Sequence, residues 1–326
     1  MMKKIALLYM GGTFGCVGEP LSPMPEAEFL PHLKKILPVN PQIDCFSAPS
    51  VKDSSAYTAV DWFLLIQQIQ QLQQLQTQNY QHFIVIHGTD TLSYAAATLA
   101  RFLARSCHVI VTGSQYPLLN TAGQDIRELS DALNNLNTAI HHIEKVSAGV
   151  YVAFHDQVFH ASTTLKVHST ALDAFRGISY DEKIGTSELP PFQIQNQHID
   201  QIASLNILNI SLQPIAQLQL NRQLEGILKQ APHVLIIQAY GTGNLAVNEP
   251  MITQFKLLQK QGCSVILASQ VAAGGLDQRY AISQWIKQSN VLVSDAQSHA
   301  DLYAKILKMY LQYPSANQWH DHWYNH

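Results

Sequence analysis

The sequence predicts an α/β protein of two domains, a larger N-terminal Rossmann-like domain on a parallel sheet and a smaller C-terminal α/β domain. Three observations predict it. Short apolar runs alternate with longer segments of helical period, strand ends repeat a glycine–hydroxyl pattern, and a polar, proline-bearing stretch separates two such regions.

The apolar runs are Ile5–Met10, Phe83–His87, Val109–Thr112, Val150–Phe154, Val234–Tyr240 and Ser264–Ser269. Strands that are apolar at nearly every position are buried on both faces, as parallel strands under helices are. Between them, Trp62–Leu75 spaces Leu65, Ile69, Leu72 and Leu75 by three and four residues. That spacing predicts an amphipathic helix whose polar face carries the glutamines. From about Gly185 to Leu212 the texture changes, with Pro190-Pro191 and a polar run from Gln193 to Gln201. The expected domains are therefore 1–188 and 212–326, with an interdomain linker at 189–211.

A chain of 326 residues is long enough for both domains to bury a core. Its 47% hydrophobic content marks a globular chain. The 20 basic and 23 acidic residues nearly cancel, without a long like-charge run. That balance argues against a nucleic-acid partner and favours a small neutral or zwitterionic one. Cys16, Cys45, Cys107 and Cys263 form no CxxC pair and no zinc spacing. The run Ile5–Met10 is too short for a signal-peptide core, and no stretch approaches the roughly 20 apolar residues of a membrane span. A cytoplasmic protein with no membrane partner is expected.

Three strands end in glycine followed by hydroxyls: Gly11-Gly12-Thr13, Gly88-Thr89-Asp90-Thr91 and Gly113-Ser114-Gln115. Ligands of open parallel sheets bind beyond the carboxyl ends of the strands. Glycine permits tight turns there, and hydroxyls supply nucleophiles and hydrogen bonds. For any one of these turns taken alone, helix capping is the favoured reading. Three together, one with an acid inside it, point to a site.

Nucleotide chemistry fits poorly. Gly11–Gly15 is not GxGxxG and no P-loop lysine follows. Gly241-Thr242-Gly243-Asn244-Leu245-Ala246 reads GxGxxA, but the next strand ends in Ser269-Gln270 without the expected acid. There is no GxSxG and no HExxH. His155, His160, His320, His322 and His326 lack ligand spacing with a carboxylate or cysteine. No metal and no cofactor is expected.

The order of motifs resembles that of the bacterial-type L-asparaginases. The resemblance rests on Gly11-Gly12-Thr13 and on Val85-Ile86-His87-Gly88-Thr89-Asp90-Thr91. It extends through Asp53-Ser54-Ser55, Val111–Gln115, Thr163-Thr164-Leu165-Lys166, Asp173-Ala174-Phe175 and Tyr240–Asn244. Asp53-Ser54-Ser55 followed by Asp61-Trp62 looks like the cytoplasmic, type I branch.

The resemblance implies hydrolysis of L-asparagine to L-aspartate and ammonia through an acyl-enzyme, with L-glutamine as a poorer substrate. It implies that Thr13 attacks, that Thr89 moves protons, and that Lys166 activates Thr89. Asp90 would pair with the substrate α-ammonium and steady the lysine. Asp53, Ser54 and Ser55 would hold the α-carboxylate and α-ammonium, and glycine-turn N–H groups would receive the oxyanion. Asn244 would act across an intimate interface, so a homodimer or homotetramer is implied. Taken alone, Thr13, Thr89 and Asp90 read equally as helix caps, and Lys166 as a surface lysine.

The sequence also departs from the family pattern. Met10 stands where threonine is usual and Phe14 replaces an aliphatic residue, both read as packing changes. Family members carry a mobile lid whose tyrosine hydrogen-bonds the attacking threonine. Here Cys16–Pro25 has no tyrosine, Leu21 stands near that place, and Pro20, Pro23 and Pro25 stiffen the segment. A hydroxyl from Tyr9 or Tyr57 is one expected substitute; proton transfer by Thr89 and Lys166 alone is the other. Asn120-Thr121-Ala122-Gly123 lacks the usual acid before glycine, and the allosteric cysteine of some type I relatives is unmatched, with Val271 nearby. Two further readings stay open. One is a weakened relative acting as an amino-acid-binding sensor. The other is the asparaginase-like subunit of a tRNA-dependent amidotransferase, which carries an added N-terminal domain before its first motif.

Overall fold

Strand β1 (Lys4–Tyr9) is buried from Ile5 to Tyr9, and the first sheet is built around it. The computed structural model describes residues 4–75, 79–185, 190–272, 276 and 284–325. It is an α/β structure whose chain divides into two compact units, Met1–Asp200 and Gln201–His326.

In the first unit a short hairpin, β2 (Cys16–Val17) with β3 (Ser22–Pro23), follows β1. Then come β4 (Gln42–Ser47), β5 (His82–Ile86), β6 (His108–Thr112), β7 (Gly149–Phe154) and β8 (Gln157–His160). Among the described residues the main sheet has the order β4-β1-β5-β6-β7-β8. Every pair is parallel except β7–β8. Strand β8 folds back through His155 and Asp156, both at positive φ (48° and 61°). Beyond the sheet, β9 (Leu165–Lys166) pairs with β10 (Phe175–Arg176).

Helices α1 (Glu26–Ile36), α2 (Ala59–Gln73), α3 (Leu92–Leu103) and α4 (Ala132–His142) cover this sheet. Phe29 and Leu33 of α1 and Leu136 and Ala139 of α4 share one core with Ile5, Leu7, Ile84, Ile86 and Ile110. The alternate residues Leu8, Val85 and Val111 are equally buried, because a strand sends successive side chains to opposite faces. Helix α2 starts where Thr58 and Asp61 form a capping box, with Thr58 N–H donating to Asp61 at 2.8 Å. Leu65, Ile69 and Leu72 are its buried stripe; Leu75, expected on that stripe, lies past the helix end and is exposed.

Residues 186–189, at the junction of the expected N-terminal domain and linker, lie outside the described residues. The rest of the 189–211 segment is not featureless. It holds α5 (Asn196–Ala203) and β11 (Ile207–Ser211), and the division between units falls inside α5. Strand β11 opens the second sheet, followed by β12 (Val234–Ala239), β13 (Ser264–Ser269) and β14 (Leu292–Val293), all parallel. Helices α6 (Gln217–Leu228), α7 (Glu249–Lys260), α8 (Gln284–Ser289), α9 (His299–Gln312) and α10 (Ala316–His322) complete this unit. Alternation along β12 divides its cores. Leu235 and Ile237 pack with Leu224, Phe255 and Trp285, while Val234 and Ile236 pack with Leu302, Ile306, Trp319 and Trp323.

Candidate active site

The turns after β1 and β5 meet because both are glycine. Gly12 has φ 81° and ψ −172°, a conformation suited to glycine. A Cβ on Gly12 would stand 2.3 Å from Gly88 Cα, and one on Gly88 would stand 2.6 Å from Ser54 Cβ and Oγ. Without side chains at these positions the turns that carry Thr13 and Thr89 meet beyond the strand ends, and Ser54 comes within hydrogen-bond reach of Asp90.

Thr13 begins a single 3-10 turn, Thr13–Gly15, and its hydroxyl has no hydrogen-bond partner among the described residues. Thr89 is buried and accepts a hydrogen bond from Lys166 Nζ at 2.8 Å. The same ammonium lies 3.3 Å from Asp90 Oδ1. Lys166 reaches them from the β9–β10 hairpin, where it sits opposite buried Phe175. Ser54 is buried; its Oγ accepts Asp90 N–H at 3.3 Å and lies 3.5 Å from Asp90 Oδ2. Its carbonyl accepts the Thr91 hydroxyl at 2.7 Å. Asp53 caps this turn by accepting Ser55 N–H at 2.9 Å and the Ser55 hydroxyl, bonds that lower its carboxyl pKa.

His87 supports the turn from below. It is fully buried and accepts Trp62 Nε1–H on Nε2 at 3.1 Å, so Nδ1 carries the proton and donates to Gly88 O at 2.8 Å. Burial pushes its pKa down to about 4, which keeps the ring neutral.

Three polar residues organise the third turn: Gln115, which ends the glycine–hydroxyl motif but carried no expected role, and Asp131 and Asn135, which the sequence did not single out. Gln115 accepts the Thr89 hydroxyl at 3.4 Å and donates to the carbonyls of Ser169 and Ala171. Asp131, the residue before α4, accepts the backbone N–H groups of Gln115 and Tyr116 at 2.9–3.1 Å. Asn135, also buried, donates to Gly113 O at 2.9 Å and to Asp131 at 3.0 Å. The available signal was an acid at a helix start with an amide four residues on, a pattern that capping also explains.

The first hairpin carries no tyrosine, and Leu21 on it is 48% exposed. Gly18 N–H bonds Thr121 O at 3.1 Å, which ties this hairpin to the Asn120–Gly123 turn. Of the two substitute tyrosines, Tyr57 donates to Met10 O and packs tilted against His87, with ring centroids 4.8 Å apart. The Tyr9 hydroxyl occupies the space a Cβ on Gly15 would need. Met10 and Phe14 are both fully buried. Asn244 lies in the second unit, in the turn after β12, where its side chain donates to Thr242 Oγ1 at 3.4 Å.

Among the described residues no group of three or more His, Cys, Asp and Glu is placed to hold a metal ion. No helix among them is long and apolar enough to cross a membrane. His160 bonds Glu182 O, His320 faces Asn290, and His322 stacks on Tyr313; His326 lies outside the described residues.

A family model described as asparaginase, N-terminal, matches residues 4–199. This chain belongs to the asparaginase family. L-asparaginase 1 of Escherichia coli (strain K12) is 27% identical over 295 residues, covering 83% of this chain and 81% of that protein. Two solved structures share the asparaginase fold found here. The thermostable L-asparaginase from Thermococcus kodakarensis has a TM-score of 0.78 at 21% identity, covering 98% of this chain and 96% of that one. L-asparaginase I from Vibrio cholerae has a TM-score of 0.77 at 22% identity, covering 98% and 95%.

Proposed function

We propose that this asparaginase-family protein hydrolyses L-asparagine to L-aspartate and ammonia, with Thr13 as nucleophile. The observation that carries the reading is the contact of Lys166 Nζ with Thr89 Oγ1 at 2.8 Å and Asp90 at 3.3 Å. A surface lysine has no reason to converge on a buried hydroxyl and a carboxylate beyond strand ends.

Thr13 Oγ1 attacks the side-chain amide carbon and its proton leaves through Thr89 and Lys166. Backbone N–H groups of the glycine turns receive the oxyanion. The C–N bond then breaks, the leaving nitrogen takes the proton and departs as ammonia, and water hydrolyses the threonyl ester. Asp90 pairs with the substrate α-ammonium, and the Asp53, Ser54 and Ser55 segment holds the α-carboxylate and α-ammonium.

The same reading makes the two compact units a Rossmann-like catalytic domain and a smaller α/β domain. It takes L-glutamine as a poorer substrate, and a homodimer or homotetramer in which Asn244 acts across an interface. A cytoplasmic location is supported by four free cysteines. Light scattering gives the oligomeric state. Ammonia release from asparagine and glutamine, by wild type and by Thr13→Ala, tests the activity. Tight asparagine binding without turnover would favour the sensor reading, which the absent lid tyrosine supports.

A further inference from the structure

His168 lies on the exposed loop between β9 and β10, two residues after Lys166. Its Nδ1 accepts two backbone hydrogen bonds, from Thr170 N–H at 3.1 Å and Ala171 N–H at 2.9 Å. Both bonds need Nδ1 as their acceptor. These bonds hold the loop whose Ser169 and Ala171 carbonyls take both protons of Gln115 Nε2, at 3.2 and 2.9 Å. The Gln115 amide therefore has one orientation, because a flipped amide would set its oxygen against two carbonyl oxygens. In that orientation Oε1 faces Thr89 Oγ1 at 3.4 Å. Lys166 donates to the same hydroxyl, so in the resting site the single Thr89 proton points to Gln115 and the second Oγ1 lone pair is left to accept the Thr13 proton.

We propose that His168 is a positioning residue for Thr89, acting through the 168–171 loop and the Gln115 amide. The inference rests on the hydrolytic role given to Thr89 above. His168 touches no reacting atom. Releasing its two bonds frees the loop, lets the Gln115 amide rotate, and removes the acceptor that fixes the Thr89 hydroxyl. Proton transfer suffers. Substrate binding, carried by Asp90 and the Asp53–Ser55 turn, does not.

The test is steady-state ammonia release from asparagine by wild type, His168→Ala, His168→Asn, Gln115→Met and the His168→Ala/Gln115→Met double variant. Asparagine at 168 keeps an acceptor for N–H groups two and three residues on, as Asx turns do. His168→Ala should lower kcat roughly tenfold, the scale of one aligned hydrogen bond, with KM little changed. His168→Asn should restore kcat, and His168→Ala should add no further loss in the Gln115→Met background. Wild-type kcat in His168→Ala, or an undiminished further loss in the double variant, overturns the proposal. If His168→Ala does not fold, His168→Asn decides: wild-type kcat supports the role, and lost kcat with a native melting temperature overturns it. Wild type that releases no ammonia instead sinks the hydrolase reading, and this inference with it.

Discussion

Gly12 and Gly88 touch backbone to backbone, so that a Cβ built on Gly12 would stand 2.3 Å from Gly88 Cα. No rotamer relieves that approach, because both partners are main chain. Gly12→Ala should therefore separate the turns that bring Thr13 to Thr89, and add strain at φ 81° of about 1–3 kcal/mol. The variant should melt lower and lose activity beyond what its unfolded fraction explains. A thermal melt run beside the ammonia assay checks both.

Asp131 should matter more than a surface acid does. Its carboxylate serves two backbone N–H groups and the Asn135 amide, and it is itself buried. Asp131→Ala leaves those donors unmet, at about 1–3 kcal/mol for a buried group. Denaturant unfolding should show that loss, with kcat falling as the Gln115 turn loosens.

His87 gives the fold an acid-sensitive term. Its folded pKa of about 4 lies below the ordinary value of 6.5, so between those values the unfolded chain binds a proton that the folded chain refuses. Stability from this residue is complete above pH 6.5 and declines as pH falls toward 4, by roughly 3 kcal/mol. Unfolding of wild type and His87→Phe across that window should show a shallower slope in the variant.

Much of the fold was legible in the sequence, and the reasons are local. Six apolar runs marked six central strands, because a strand buried on both faces needs no polar position. Edge strand β4 was not legible, since Gln42, Asp44 and Ser47 interrupt it as an edge permits. Strand β11 and helix α5 were hidden behind Pro190-Pro191, which reads as a break. At the site, Thr13, Thr89 and Asp90 stood out through glycine–hydroxyl turns, whereas Lys166 entered only by resemblance. Gln115 ended one of those turns without a legible role, and Asp131, Asn135 and His168 had no such signal. Their partners lie 2 to 56 residues away, and spacing alone does not reveal a hydrogen bond that only the folded turns create.

Asp90→Asn should raise KM for asparagine far more than it disturbs the fold, since Asp90 is largely exposed at the site. Losing a charge-assisted bond costs about 1.5–3 kcal/mol, roughly ten- to a hundredfold in KM. Steady-state kinetics at saturating and limiting asparagine separate this from a loss in kcat. An unchanged KM would remove Asp90 from ammonium binding.

The central claim is that Thr13 attacks and that Lys166, through Thr89, moves its proton, without help from a lid tyrosine. Ammonia release from L-asparagine by wild type, Thr13→Ala and Lys166→Met, each beside its measured asparagine affinity, tests it most directly. The account predicts measurable turnover in wild type, loss of about 100-fold or more in both variants, and asparagine binding retained in Thr13→Ala. Wild type that binds asparagine but turns it over no faster than the two variants would contradict it.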